Sequence, residues 1–141
     1  MAINPFYQEL EHTADWAIRV WGKTLSALFE HAASAMFELQ GAPMNSQTPL
    51  EAQVSCSAHD LESLLVAWLN ELLFLSETHD LLFTRFTARI EAASEGDMGL
   101  QAHVKGVPGR GPMAHIKAAT YYDLKVNKTP KGWEATITFD T

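Results

Sequence analysis

Disulfides are the first thing the sequence rules out. A single cysteine, Cys56, serves all 141 residues, so no internal bridge can form and a reducing compartment is the expected setting. No apolar run approaches the roughly 20 residues that a membrane-spanning helix needs. Residues 1–5 carry neither a basic stretch nor an apolar one, so no secretory leader is expected and the chain reads as cytoplasmic. Basic residues are also scarce: 10 Lys and Arg stand against 17 Asp and Glu, for a net charge of −7. The shortage lies in residues 1–104, with 4 Lys/Arg and 14 Asp/Glu, whereas residues 105–141 hold 6 against 3. So acidic a body excludes broad coating of nucleic acid, which depends on cations meeting phosphates. The basic final quarter reads first as strands with solvated lysines, and second as a place to meet an acidic partner or a local stretch of RNA.

Catalytic signatures are missing as well. The glycine- and proline-rich segment 106–112 is not followed by Lys-Ser or Lys-Thr, so the P-loop pattern fails. Six histidines (His12, His31, His59, His79, His103 and His115) never fall at the i, i+4 spacing of zincins. No Gly-x-Ser-x-Gly occurs, and Cys56 has no base near it in sequence. Lys117, Thr120 and Tyr121 form a polar group beside the glycine-rich segment, and read first as ordinary surface. The four tryptophans, Trp16, Trp21, Trp68 and Trp133, read as core before they read as nucleobase platforms. Motif spacing alone defines no enzyme.

What is present is a pattern of alternating and helical periodicities. Residues 6–11 and 16–21 suit two strands joined by a turn at 12–15. Thr24 is an N-cap, followed by Leu25, Leu28, Phe29, Ala32, Met36 and Phe37 at helical spacing, with Gly41 as the stop. A loop through Pro43 and Pro49 leads to a short strand at 50–57. Asp60 caps a second helix running to about residue 76. Its leucines and Trp68 fill half the helical circle, and Val66, Ala67 and Phe74 lie in the other half. That predicts a central helix buried on more than one side. From Leu82 the period becomes two, with Leu82, Thr84, Phe86, Ala88 and Ile90 on one face and Phe83, Arg85 and Thr87 on the other. A turn at 96–99 precedes a returning strand through Leu100, Ala102 and Val104. Residues 106–112 then read as a mobile surface loop, and 115–122 is ambiguous between helix and strand. A closing hairpin turns around 129–132. Unequal clusters of strands and helices without β-α alternation predict an α+β fold. It is expected to be one domain, 1–141, of largely antiparallel sheet packed with two principal helices.

Two short segments carry the candidate chemistry. His12 and Asp15 lie in the first turn, and Asp140 stands beside Thr141, whose free carboxylate is a further oxygen donor. If the two ends meet, three carboxylates converge and require a proton or a cation. Such an oxygen-only set suits calcium, or magnesium or manganese, rather than zinc. A frayed, solvated terminus is the plain alternative.

The order of the blocks is more specific than any one of them. Glu11-His12-Thr13-Ala14-Asp15, Trp21-Gly22-Lys23-Thr24-Leu25 and Leu28-Phe29-Glu30 resemble the start of archease proteins. Ala32-Ala33, Met36-Phe37 and the run from Leu64 to Leu73 continue the likeness. Ile116-Lys117-Ala118-Ala119-Thr120-Tyr121, Gly132-Trp133 and Phe139-Asp140 complete it. The resemblance implies a small α+β activator of an RtcB-type RNA ligase, the GTP-using enzyme that joins tRNA exon halves. It implies promotion of the ligase's guanylylation and repeated turnover, without catalysis by the activator itself. It also implies a metal site at Asp15, Asp140 and Thr141, with His12 in support. Direct contact with RNA or GTP is left open. This chain departs from the family pattern at Val107, where a glutamate is usual, and at Tyr122, where a histidine is usual. A general chaperone-like binding module is the alternative function, and a small metal-dependent hydrolase a third.

Overall fold

The computed structural model describes residues 6–10, 16–43, 49–110 and 116–141. Strands β1 (Tyr7–Leu10) and β2 (Trp16–Gly22) precede helix α1 (Leu25–Gln40). Then come β3 (Ala42–Pro43), β4 (Leu50–Ala58), helix α2 (Leu61–His79), β5 (Leu81–Ala92) and β6 (Met98–Arg110). The chain closes with β7 (Ala118–Thr120), β8 (Val126–Thr129) and β9 (Gly132–Asp140). Every strand pair is antiparallel, and the pairs form two sheets. In one, β9 is central, flanked by β2 on one side and by β7 and β8 on the other; in the second, β6 joins β3, β4 and β5. The α+β expectation holds, and the antiparallel strands divide into two sheets.

Both helices start where their capping residues dictate. The Thr24 hydroxyl accepts the Ala27 amide at 3.0 Å, and the Asp60 carboxylate accepts the Ser63 amide at 2.7 Å. That second bond favours the ionised form and holds the Asp60 carboxyl below the ordinary carboxylate range. Helix α2 runs three residues past the expected end, to His79, and closes on Asp80 in the left-handed conformation, φ 53°. Leu64, Leu65, Trp68, Leu69 and Leu72 are fully buried, and Val66 is 6 % exposed, so a second side of the helix is covered as its composition predicts. Phe74 departs from that expectation and is 62 % exposed. Each large side chain removed from water here contributes on the order of 1.5–3 kcal/mol. The core joins the two helices to both sheets.

Two expectations fail for reasons that lie outside local sequence. In β5, Phe83 belongs with the buried set although strict alternation from Leu82 puts it on the polar face. The register shifts between Phe83 and Arg85. This bulge adds one residue at Thr84 and resets the phase, so Leu81 and Phe83 face the core before it and Ala88 after it. The second failure is at 106–110, which is ordered strand and not loop. Gly106 pairs with Phe83, Val107 with Leu82 and Pro108 with Leu81, while Gly109 and Arg110 pair with β3. Gly106 suits this packing because a Cβ there would lie 2.8 Å from the Phe83 ring. The remainder of that segment, 111–112, lies outside the described residues.

The ambiguous stretch resolves as β7, a strand too short to hold itself. Asn70, on α2, accepts the Ala119 amide at 2.7 Å through Oδ1 and donates through Nδ2 to the Ala119 carbonyl at 3.2 Å. The amide side chain thus replaces the neighbouring strand that an edge lacks. Asn70→Leu is expected to cost about 1–3 kcal/mol and to speed hydrogen exchange at the Ala119 amide while leaving β2 protected. Unchanged protection at Ala119 would contradict this role.

Candidate functional site

The β2–β9 ladder fixes the geometry of the chain's closing residues. Trp16 pairs with Phe139, Ile18 with Ile137 and Val20 with Ala135. Ile18, Ile137 and Phe139 are fully buried, so this register cannot slip by one residue without turning the core face outward. On its other edge β9 meets β7, with Ala118 paired to Asp140. The Lys117 amide donates to the Asp140 carbonyl at 2.8 Å, and the Thr120 hydroxyl donates to the Thr138 carbonyl at 2.9 Å. Asn70 therefore steadies Asp140 indirectly, through Ala119 and the strand that carries Lys117 and Ala118.

Asp140 and Thr141 are exposed. Among the described residues, the Asp140 carboxylate makes no hydrogen bond or ion pair. Asp15 and His12 lie outside the described residues, as does His115. No group of three or more His, Cys, Asp and Glu side chains placed to hold a metal occurs among the described residues. Of the polar group expected at Lys117, Thr120 and Tyr121, the first two bond to the end of β9 and Tyr121 stands 60 % exposed. Val107 is 7 % exposed and Tyr122 is 62 % exposed. Val107 is thus a buried apolar position.

Cys56 is a poor nucleophile where it stands. Burial, reinforced by the negative charge of Glu71, pushes its thiol up to about 11. The tryptophans divide in a way their sequence does not reveal. Trp68 is fully buried, while Trp16, Trp21 and Trp133 keep part of their surface in contact with solvent. Trp21 and Trp133 line a cleft, with Lys23 and Lys131, at the end of the sheet opposite Asp140. The signal available for that cleft was the clustering of Lys125, Lys128 and Lys131 around the final hairpin turn, beside Trp133.

An α+β class with two antiparallel sheets and two capped helices is what the fold alone defines. Comparison with known proteins narrows this. The model of the archease protein family matches residues 7–141. The protein archease of Methanosarcina mazei is 38 % identical over 138 residues, covering 95 % of this chain and 94 % of that one. Its counterpart in Pyrococcus furiosus is 34 % identical over 139 residues, covering 95 % and 97 %. The solution structure of Methanobacterium thermoautotrophicum protein 1598 superposes with a TM-score of 0.82 at 27 % identity, over 96 % of this chain and 98 % of that one. The crystal structure of an archease from Thermotoga maritima, described as a possible chaperone, has a TM-score of 0.62 at 22 % identity over 95 % and 96 %. That last likeness concerns the fold alone. This chain belongs to the archease family.

Proposed function

We propose that this protein is a non-catalytic activator of an RtcB-type, GTP-using RNA ligase, and that it promotes the ligase's guanylylation and repeated turnover. A divalent cation, calcium first, is held by Asp15, Asp140 and the Thr141 carboxylate. The observation that carries the metal site is the pairing of Trp16 with Phe139. Asp15 is covalently joined to the first of these residues and Asp140 to the second, and each such link spans only about 3.8 Å between Cα atoms. The donor set fits the ion: oxygen atoms only, with an Asp140 carboxylate that no side chain among the described residues neutralises. When bound, the ion would offset the converging negative charge and could present a free coordination position to a partner. The chain's own residues do the rest. Asn70 and β7 hold Asp140 in place, and the buried β2–β9 ladder keeps the start of β2 against it.

Family membership supports the activator role, and the absence of a nucleophile with a base beside it among the motifs supports a non-catalytic one. A cytoplasmic setting accords with the free Cys56. Titrating the protein into a ligase guanylylation assay tests the proposal. Faster formation of the guanylylated ligase and more than one ligation per ligase are expected; unchanged rates would contradict it. The second reading, a general binding module, draws on the exposed Phe74, Tyr121 and Tyr122. It predicts suppressed aggregation of unrelated client proteins with no effect on the ligase.

A further inference from the structure

Far from Asp140, the structure has a groove that neither the family match nor the proposed metal site accounts for. It lies where β2 ends, α1 begins and the β8–β9 hairpin turns. The six steps of β2 from Trp16 to Gly22 put it roughly 20 Å from the start of that strand. One half is a cleft of about 570 Å³ whose walls include Phe6, Trp21, His31 and Trp133. The adjoining half, about 460 Å³, lies between Lys23, Thr24 and Leu25 on one side and residues 128–133 on the other. The two halves share Lys23, Thr129, Lys131 and Trp133, so they form one continuous depression.

The two halves differ in chemistry. The aromatic half offers flat surfaces: the Phe6 and His31 rings are stacked with centroids 4.2 Å apart and planes 25° from parallel. The His31 Nδ1 atom lies 2.7 Å from the Trp21 carbonyl. A carbonyl only accepts, so Nδ1 carries the proton, and in the neutral ring Nε2 is left as an acceptor. Glu134, which is paired with Trp21 across the ladder, adds a carboxylate acceptor to the same wall. The other half is cationic. Lys23, Lys128 and Lys131 are exposed, and none is in an ion pair among the described residues. Lys128 sits over the Trp133 ring, 5.8 Å from its centroid. The positive end of α1 opens here, with no acidic residue in its first turn. Three lysines thus gather at one helix N-terminus in a chain of net charge −7.

We propose that this groove binds a nucleotide, with the base in the aromatic half and the phosphate among the lysines at the start of α1. A cleft of this size suits one nucleotide unit. Aromatic stacking supplies sequence-tolerant affinity for a base, and the lysines supply the phosphate contact as point charges. The acceptors Glu134 and His31 Nε2 select a base edge that carries N–H donors, which guanine provides through N1 and its exocyclic amine. An acidic peptide would satisfy the lysines but would leave the Glu134 carboxylate facing like charge. A free nucleotide and one unit of a single-stranded RNA share this chemistry.

The test uses the full chain and no ligase, so it stands apart from the activator proposal. Guanosine 5′-monophosphate and a single-stranded guanine-containing tetranucleotide are titrated while the tryptophan indole N–H signals are followed by NMR. Saturable shifts are expected at Trp21 and Trp133 and not at Trp68, with affinity that weakens as salt is raised from 50 to 200 mM. Lys23→Glu combined with Lys131→Glu should weaken binding at least tenfold, and the corresponding double arginine variant should retain it. Tighter binding of the tetranucleotide assigns the site to a strand, and equal binding assigns it to free nucleotide. Absence of saturable shifts with both probes, unaltered affinity in the glutamate variant, or shifts produced only by an acidic aromatic peptide would overturn the assignment.

Discussion

Asp140→Ala is expected to abolish stimulation of ligase guanylylation while leaving the fold near intact. The side chain is exposed and, among the described residues, makes no hydrogen bond or ion pair. Its backbone, which accepts from Lys117 and pairs with Ala118, is untouched by the change. Residues that merely support a ligand typically cost 10–100-fold in metal affinity when altered, so loss of a ligand should exceed about tenfold. Asp140→Asn preserves shape and removes the charge, and should behave like the alanine variant. Stimulation by either variant within twofold of the parent protein would place the metal, or the function, elsewhere. A variant that loses stimulation together with its thermal transition would instead assign Asp140 a folding role.

Trp68→Ala should have the largest effect on stability. Trp68 is fully buried, lies edge-on to Phe86 with centroids 6.3 Å apart, and donates from Nε1 to the Phe29 carbonyl of α1 at 2.9 Å. One side chain thereby ties α2 to α1 and to β5. Truncation removes its buried area and leaves a cavity, at a cost of about 3–5 kcal/mol. That is a large share of the roughly 5–15 kcal/mol that holds a typical domain together. Trp68→Phe keeps most of the volume and loses the hydrogen bond, so it should cost about 1–2 kcal/mol. Urea denaturation measures both, and a loss below about 1 kcal/mol for the alanine variant would contradict the picture of α2 as the central element.

Those elements differ in how legible they are from sequence. The caps at Thr24 and Asp60 and the helices behind them depend on residues within one turn, and the sequence carries all of that information. The closing hairpin is likewise local. By contrast, the bulge at Thr84 exists because Phe83 must fill a gap beside Gly106, more than 20 residues further along the chain. The strand at 106–110 forms because β3 and β5 come to meet it, against the turn preference of its two glycines and Pro108. β7 takes shape because Asn70 on a distant helix bonds to both sides of Ala119. In each case a long-range partner overrode a local propensity. The candidate site divides in the same way. Asp140 and Thr141 could be singled out as oxygen donors from sequence, and the register that brings β2 to β9 required the structure. The groove of Trp21, Trp133 and the lysines is not legible in the sequence because its walls come from four separate segments.

The proposed function turns on a cation shared by Asp15, Asp140 and the Thr141 carboxylate. Anomalous diffraction from a crystal grown with calcium tests this most directly. The expected result is one peak within about 2.3–2.6 Å of carboxylate oxygens from Asp15, Asp140 and Thr141, and no peak there in crystals of Asp140→Ala. An ion-free Asp140 with the Asp15 side chain on the opposite side of the molecule would contradict it.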